Sequence, residues 1–229
     1  MKAELREWRE LAPGIRHFVF EVRGVESFGF TPGQFVSLKA GIDGKEITRA
    51  YSLASRPSGN TFELCLNLVQ DGHFSPFLFG MRIGDSVDLE GPLGYFVLRP
   101  ATGNLVMVAT GTGIAPFRGM IPEALEGLRD RKVTLIFGTR REETILYREE
   151  WEALARAHSN LFFWPTLSRS GENWRGRTGY VQTHLAEALE GRADGQIYVC
   201  GLKAMVDEVR ALAKGLGMDR KQIVYEKYD

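Results

Sequence analysis

The residues best suited to chemistry lie in a short glycine-bearing run, Thr110-Gly111-Thr112-Gly113-Ile114-Ala115-Pro116. It follows a continuous apolar stretch, Leu105 to Ala109, and precedes a segment of helical character. Glycines at such a turn let the backbone approach a pyrophosphate, and the helix start beyond offers unpaired N–H groups and a positive dipole end. Pro116 suits a first helical turn, where a missing N–H costs nothing. A strand-to-helix turn also takes glycine for steric reasons alone, but the placement between a buried strand and a helix favours a nucleotide. The third glycine of the dinucleotide fingerprint is absent, which favours a relative of that fold over the fold itself. The next strand runs into Phe137-Gly138-Thr139-Arg140-Arg141, with no acid before Glu142. An NAD-specific site often ends this strand in a carboxylate that bonds the ribose 2′-hydroxyl.

Other chemistries are excluded by composition. Two cysteines, Cys65 and Cys200, cannot build a disulfide framework, a four-cysteine zinc site or an iron–sulfur cluster. His17, His73, His158 and His184 are scattered, none paired with a Cys or another His, so no metal centre is expected. Lys plus Arg equals Asp plus Glu at 29 each, which argues against a general nucleic-acid binder. No apolar run approaches the roughly 20 residues that span a bilayer. The N-terminus lacks the apolar centre of a signal peptide, so a cytoplasmic protein with no membrane partner is expected.

Those candidate residues must be positioned by two different kinds of sequence. The chain has 229 residues, 44% hydrophobic and 25% charged, within reach of one large domain or two small ones. Up to about residue 98 it reads as β. Ile15 to Val22 is short and apolar, Phe35 to Leu38 follows the turn Thr31-Pro32-Gly33, and Phe62 to Leu68 and Ser86 to Glu90 alternate at period 2. Short strands at roughly 10-residue spacing suggest a small barrel or sandwich. The one helix expected here is short, from about Ser75 to Met81. Beyond residue 103 strands alternate with helices. Strands are expected at 105–109, 133–137, 161–164, 197–200 and 223–225. Helices are expected at 115–128, 149–157, 180–189 and 202–216. In the last, Met205, Val209, Leu212 and Leu216 sit at helical spacing. This alternation means parallel βαβ units, which bind ligands at the carboxyl ends of their strands near a switch in strand order. The boundary is placed near Arg99-Pro100-Ala101-Thr102-Gly103.

Five short motifs then occur in one order. They are Arg49-Ala50-Tyr51-Ser52, Gly72-His73-Phe74-Ser75, Gly91-Pro92-Leu93-Gly94-Tyr95-Phe96, Gly111-Thr112-Gly113-Ile114-Ala115-Pro116 and Cys200-Gly201. Together they cover nearly the whole chain, and in this order it resembles the ferredoxin–NADP(H) reductase family. The resemblance implies an antiparallel β-barrel flavin-binding domain over 1–99, followed by an α/β parallel-sheet nicotinamide-nucleotide domain over 100–229. It implies that Arg49 neutralises the flavin phosphate, a task suited to a planar guanidinium. Tyr51, after Ala50 in the same motif, would stack on the isoalloxazine ring, and Ser52 would place a hydroxyl near flavin N5. Gly72 and Ser75 match the second pyrophosphate contact, at the start of a short helix. Thr110, Gly111, Thr112, Gly113 and Pro116 match the nicotinamide-nucleotide turn. Cys200 and Gly201 match the position beside nicotinamide C4, where Cys200 would act in catalysis by helping to set the hydride distance, not as a nucleophile. Cys65 reads as packing only.

Family members that prefer NADP place a Ser-Arg pair after the third strand. Ser168 and Arg169, followed by Arg177 and joined by Arg140, therefore resemble a 2′-phosphate pocket, and Tyr180 resembles an adenine-stacking aromatic. Glu226 and Tyr228 match a C-terminal Glu and aromatic that cover the nicotinamide side of the flavin, the Glu as a proton relay. Asp229 follows Tyr228, so the aromatic is not terminal. FAD is the expected flavin, ahead of FMN. The expected activity is exchange of a hydride with NADP(H) and of single electrons with a separate carrier, ferredoxin or flavodoxin, by a monomer. Such carriers are acidic, and Arg6, Arg9, Arg16, Lys39, Lys45 and Arg49 offer positive charge in the barrel half. Rival readings are a reductase component of a multi-component oxygenase, a general NAD(P)H–flavin reductase, and an electron-transfer subunit of a larger complex.

Overall fold

The structure, a computed structural model, describes residues 1–100, 103–127 and 130–228. Ala101 and Thr102 of the expected boundary, Leu128 at the end of the expected helix, and Asp229 lie outside the described residues. The chain divides into two compact units, Met1–Leu98 with Ala115–Met120, and Arg99–Ile114 with Ile121–Asp229.

The first unit is built on six antiparallel strands: β1 (Lys2–Ala12), β2 (Ile15–Val22), β3 (Phe35–Ile42), β4 (Lys45–Ser52), β5 (Thr61–Asn67) and β6 (Ser86–Leu93). Their order is β4-β3-β6-β1-β2-β5. The two edges meet just beyond β4, where Leu53 bridges Leu64 and the Ala54 N–H donates to the Glu63 carbonyl at 2.8 Å, closing a barrel. Alternation directs Phe62, Leu64 and Leu66 of β5 into the core with Phe18 and Phe20 of β2, and the Phe20 and Phe62 rings stack at 5.5 Å. Helix α1 (Phe74–Gly80) buries Phe74, Ser75 and Leu78.

Strand β1 was not foreseen from the sequence. Its run Arg6 to Glu10 is exposed, and register shifts at Leu5/Glu7 and Glu10/Ala12 break the period-2 pattern. Glu4, on the face opposite the core residues Ala3 and Leu5, is buried under Arg6 and Arg23, which pair with it.

The second unit is a parallel sheet of β7 (Leu105–Thr110), β8 (Val133–Thr139), β9 (Leu161–Leu167), β10 (Arg177–Thr178), β11 (Gln196–Leu202) and β12 (Ile223–Tyr228). The order is β10-β9-β8-β7-β11-β12, so the chain steps outward from β7 on one side and returns to its other side with β11. The switch point lies between β7 and β11, buried strands that read as unbroken apolar runs. The helices are α2 (Ala115–Gly127), α3 (Arg148–Ala157), α4 (Leu185–Leu189) and α5 (Lys203–Gly215).

Two helix expectations need correction. In α5 the buried stripe is Val206, Val209 and Ala213, while Leu212 and Leu216 are exposed. The small residues bring the helix close to the sheet, and the larger leucines are rotated outward. The span 180–189 is a 3₁₀ turn (Val181–His184) followed by the five-residue α4. The Thr183 hydroxyl donates to the Tyr180 carbonyl at 2.7 Å, which favours the tighter turn.

Candidate active site

In the barrel unit the site is carried by β4 and the turn before α1. Strand β4 pairs only with β3, setting Ser37 opposite Ala50, Leu38 opposite Arg49 and Val36 opposite Tyr51. Ala50 is exposed on the outer face of this edge strand. Arg49 is exposed, its guanidinium donating to the Thr48 carbonyl at 2.8 Å, and no carboxylate among the described residues pairs with it. Two residues on, Tyr51 leans on the core and on Phe74 of α1, ring centroids 6.1 Å apart. Burial pushes its phenol up to about 12, against the pull of Arg49, so the hydroxyl stays protonated. Ser52 is buried where β4 gives way to the barrel closure.

Gly72 and Ser75 both bind Val69. The Gly72 N–H donates to the Val69 carbonyl at 2.9 Å, and the Ser75 hydroxyl accepts from the Val69 N–H at 2.9 Å. Ser75 thus fixes the turn into α1, and its hydroxyl is already engaged. An unpaired arginine, a half-buried tyrosine and a buried serine in four consecutive residues fit a flavin phosphate and ring.

In the second unit the glycine-bearing turn and Cys200-Gly201 end neighbouring strands, Ala109 pairing with Cys200. The turn is 3₁₀ from Gly111 to Ile114, with Thr112 half-buried and Pro116 in the first turn of α2. Its two glycines do different work. A Cβ on Gly113 would lie 2.4 Å from the Cys200 carbonyl oxygen, so this glycine serves close packing. Gly111 has φ +53° and nothing within 4 Å of a built Cβ, so the turn is open on that side. Gly201, at φ +143°, would bring a Cβ 2.5 Å from Thr110 Oγ1. That buried hydroxyl has no hydrogen-bond partner among the described residues. An open left-handed glycine beside an orphaned hydroxyl fits a nucleotide laid across the switch point.

Cys200 is fully buried and directly opposite Glu226 on β12, with Tyr228 two residues further on the same face. Burial pushes its thiol well up, Glu226 adds to the rise, and a hydrogen bond from the Tyr228 side chain opposes it. Burial and Glu226 both favour the neutral thiol over the thiolate.

The ends of β8 and β9 are laced together. The Ser168 N–H donates to the Thr139 carbonyl at 3.0 Å and the Arg169 N–H to the Arg140 carbonyl at 2.9 Å. Arg140 and Arg169 are exposed, side by side in backbone register, and neither pairs with a carboxylate among the described residues. The first acids after β8 are engaged elsewhere: Glu142 pairs with Arg148 at 2.6 Å, and Glu143 lies 3.9 Å from Arg141.

Comparison with known proteins agrees with this layout. Residues 2–98 match the oxidoreductase FAD-binding domain and residues 107–211 the oxidoreductase NAD-binding domain. Ferredoxin–NADP reductase B of Sorangium cellulosum (strain So ce56) is 39% identical over 237 residues, covering 100% of this chain and 97% of that protein. The chain belongs to the ferredoxin–NADP(H) reductase family. It is an FAD- and NAD(P)-dependent oxidoreductase of the two-domain fold expected from its sequence. The reductase component DmpP of phenol 2-monooxygenase from Pseudomonas sp. (strain CF600) is 37% identical, over 78% of this chain and 52% of that one. A ferredoxin NADP+ reductase from Neisseria gonorrhoeae, solved with bound FAD and NADP, superposes with a TM-score of 0.86 at 25% identity, covering 99% and 98% of the two chains.

Within this reductase fold, the remaining candidates have the following surroundings. Arg177 is held by Glu187 through two hydrogen bonds of 2.6 and 2.7 Å and lies 3.7 Å above the Trp164 ring. Tyr180 is exposed, at the start of the 3₁₀ turn. Three of the basic residues named in the barrel unit are engaged within it. Arg6 pairs with Glu4 and Glu21, Lys39 with Glu90, and Arg16 lies over Trp8 and Phe79.

A partly buried polar cluster in the first unit has no signal in the sequence. Arg118 of α2 donates to the Ala54 carbonyl at 2.8 Å and pairs with Glu63. Glu63 lies 3.6 Å from the buried His17. These residues come from distant parts of the chain, so no local pattern announces them. No helix among the described residues is long and apolar enough to cross a membrane, and no group of His, Cys, Asp or Glu among them could hold a metal ion.

Proposed function

We propose that the protein is a ferredoxin–NADP+ reductase that uses FAD, prefers NADP(H) to NAD(H), and exchanges single electrons with a separate ferredoxin or flavodoxin. The observation that carries the preference is the adjacent, carboxylate-free pair Arg140 and Arg169, with Ser168 at the same strand end. Two guanidiniums so placed repel each other until an anion lies between them, and a 2′-phosphate supplies that anion with charge-assisted hydrogen bonds. A 2′-hydroxyl would find no unengaged carboxylate at the end of β8, since Glu142 is paired with Arg148. The full-length likeness to a protein named a ferredoxin–NADP reductase supports the same reading.

The bound flavin supplies the step between two-electron and one-electron transfer. Arg49 balances its phosphate charge, Tyr51 packs against its ring, and Ser52 presents a hydroxyl to N5. Gly72 and Ser75 shape the second phosphate turn through Val69. The Thr110–Gly113 turn and the start of α2 at Pro116 receive the pyrophosphate of the nicotinamide nucleotide. Cys200 and Gly201 set how closely the nicotinamide approaches, Tyr228 covers that side, and Glu226 holds or moves a proton there. A reductase component of an oxygenase is the second reading, favoured by the 37% identity to the phenol 2-monooxygenase component.

The test is an anaerobic titration of the purified protein with NADPH and with NADH, followed at the flavin absorbance, for the wild type and Arg169→Ala. Rapid bleaching by NADPH, with a KM for NADPH raised at least tenfold in Arg169→Ala and the KM for NADH unchanged, is the expected result. Equal use of both nucleotides by the wild type would overturn the preference and move the function toward the oxygenase reading. The carrier is tested by turnover with ferredoxin and flavodoxin.

A further inference from the structure

The loop that carries Ser168 and Arg169 runs from the end of β9 to Arg177 at the start of β10. It contains three arginines, Arg169, Arg175 and Arg177, and its first residues lie beside Arg140. Charge repulsion alone would splay such a loop away from its neighbour, so something must hold it. Its two ends are fixed. At the start are the backbone bonds from Ser168 to Thr139 and Arg169 to Arg140. At the far end Arg177 is clamped between Trp164 and Glu187, and the Gly179 N–H donates to the Leu167 carbonyl at 2.9 Å.

The middle is turned by the Trp174 N–H, which donates to the Gly171 carbonyl at 3.2 Å, and by Arg175, which donates to the Glu172 carbonyl at 2.8 Å, and the Trp174 side chain ties it to the far end. The Trp174 indole N–H donates to the Arg177 carbonyl at 2.8 Å. The ring lies so close over Gly176 that a Cβ there would be 2.3 Å from Trp174 Cζ2. The guanidinium of Arg148 stands 5.8 Å from the ring centroid. Arg148 in turn pairs with Glu142 at 2.6 Å, just after Arg140 and Arg141, and with Glu152 at 2.7 Å. Trp174, Arg148 and Glu142 thus form a chain of contacts from the loop that carries Arg169 to the loop that carries Arg140.

We propose that Trp174 is a positioning residue for nucleotide selection: its indole latches the 168–177 loop so that Arg169 stays beside Arg140 before any nucleotide arrives. This rests on the reading of Arg140 and Arg169 as the 2′-phosphate site. The ring touches no part of that pair itself. Its effect is preorganisation: without the latch, binding must order the loop against its own charge. Gly176 belongs to the same device, because only a residue without a side chain lets the ring close.

The experiment measures binding of 2′-AMP and 5′-AMP to the FAD-loaded protein by calorimetry, with KM and kcat for NADPH and NADH alongside. The variants are Trp174→Phe, which keeps an aromatic ring and removes the donor, Trp174→Ala, and Arg169→Ala. The inference expects 2′-AMP to bind about tenfold more weakly to Trp174→Phe, near 1.4 kcal/mol, and weaker still to Trp174→Ala. It expects 5′-AMP binding, the KM for NADH and kcat to stay within twofold. Unchanged 2′-AMP affinity in both Trp174 variants, while Arg169→Ala loses it, would overturn the latch and leave the phosphate site standing. Equal weakening of 2′-AMP and 5′-AMP would assign Trp174 a general structural role and overturn it as well. A wild type that binds the two nucleotides equally would overturn the phosphate site and the latch with it.

Discussion

The substitution Gly113→Ala tests how the two strand ends at the switch point are held. A Cβ at this position would meet the Cys200 carbonyl oxygen at 2.4 Å, its carbonyl carbon at 2.7 Å and Gly201 Cα at 2.8 Å. These are backbone atoms of a central strand, not the tip of a flexible side chain, so rotation about a side-chain bond gives no relief. Ordinary contact begins at 3.4 Å. The turn and the end of β11 must therefore part by about 1 Å, with an overpacking cost of roughly 1–3 kcal/mol. A displacement of that size at a reacting centre lowers the rate by about 10²-fold. Stopped-flow reduction of the flavin by NADPH, without oxygen, reads this directly. Gly113→Ala should be about a hundredfold slower with FAD content unchanged, because the flavin residues on β4 lie in the other unit. Gly111→Ala is the comparison. It faces open space but keeps φ +53°, so it should cost about 1–2 kcal/mol of stability with a much smaller loss of rate. Reduction of Gly113→Ala at the wild-type rate would refute the reasoning.

Two further outcomes follow from the barrel unit. Arg49→Ala removes a cation that no carboxylate of the described chain neutralises, and should be purified with most of its flavin lost; a full complement of FAD, by absorbance of the released cofactor, would move the phosphate contact elsewhere. Burial, with Arg118 and Arg9 nearby, lowers His17 to about 3 from an ordinary 6.5, so it is neutral when folded and takes up a proton on unfolding below pH 6.5. Its stabilising effect is complete above pH 6.5 and is lost as pH falls toward 3, at about 1.4 kcal/mol per unit. Urea unfolding should then show a loss of about 2 kcal/mol between pH 6.5 and 5 that is much reduced in His17→Gln, whereas equal slopes in the two proteins would place the titration on other groups.

Much of this molecule is legible locally. Strands β5 and β6 announce themselves by alternation, and β7 and β11 by unbroken apolar runs, because a strand with one buried face and a strand with two leave different patterns. The motif residues Arg49 to Ser52 and Thr110 to Gly113 are likewise contiguous, so their grouping needs no folding to be seen. Where burial depends on a distant partner, reading along the chain fails. Glu4 in β1 is buried because Arg6 and Arg23 cover it, and α5 turns Val206, Val209 and Ala213 inward where its larger apolar residues suggested another face.

The candidate site divides in the same way. Sequence alone determined the two kinds of unit, the family and the residue types at each position, because these depend on neighbours along the chain. Tertiary structure decided which arginines are available. Arg140 and Arg169 are 29 positions apart and meet only because β8 and β9 are parallel neighbours. Arg177, so similar in sequence, pairs with Glu187 over the Trp164 ring, and in the barrel Arg6 and Lys39 pair with acids on adjoining strands. The physical reason is that a charge acts according to what lies within a few ångströms of it. That neighbourhood is assembled by strand order and register, which no single stretch of the chain contains.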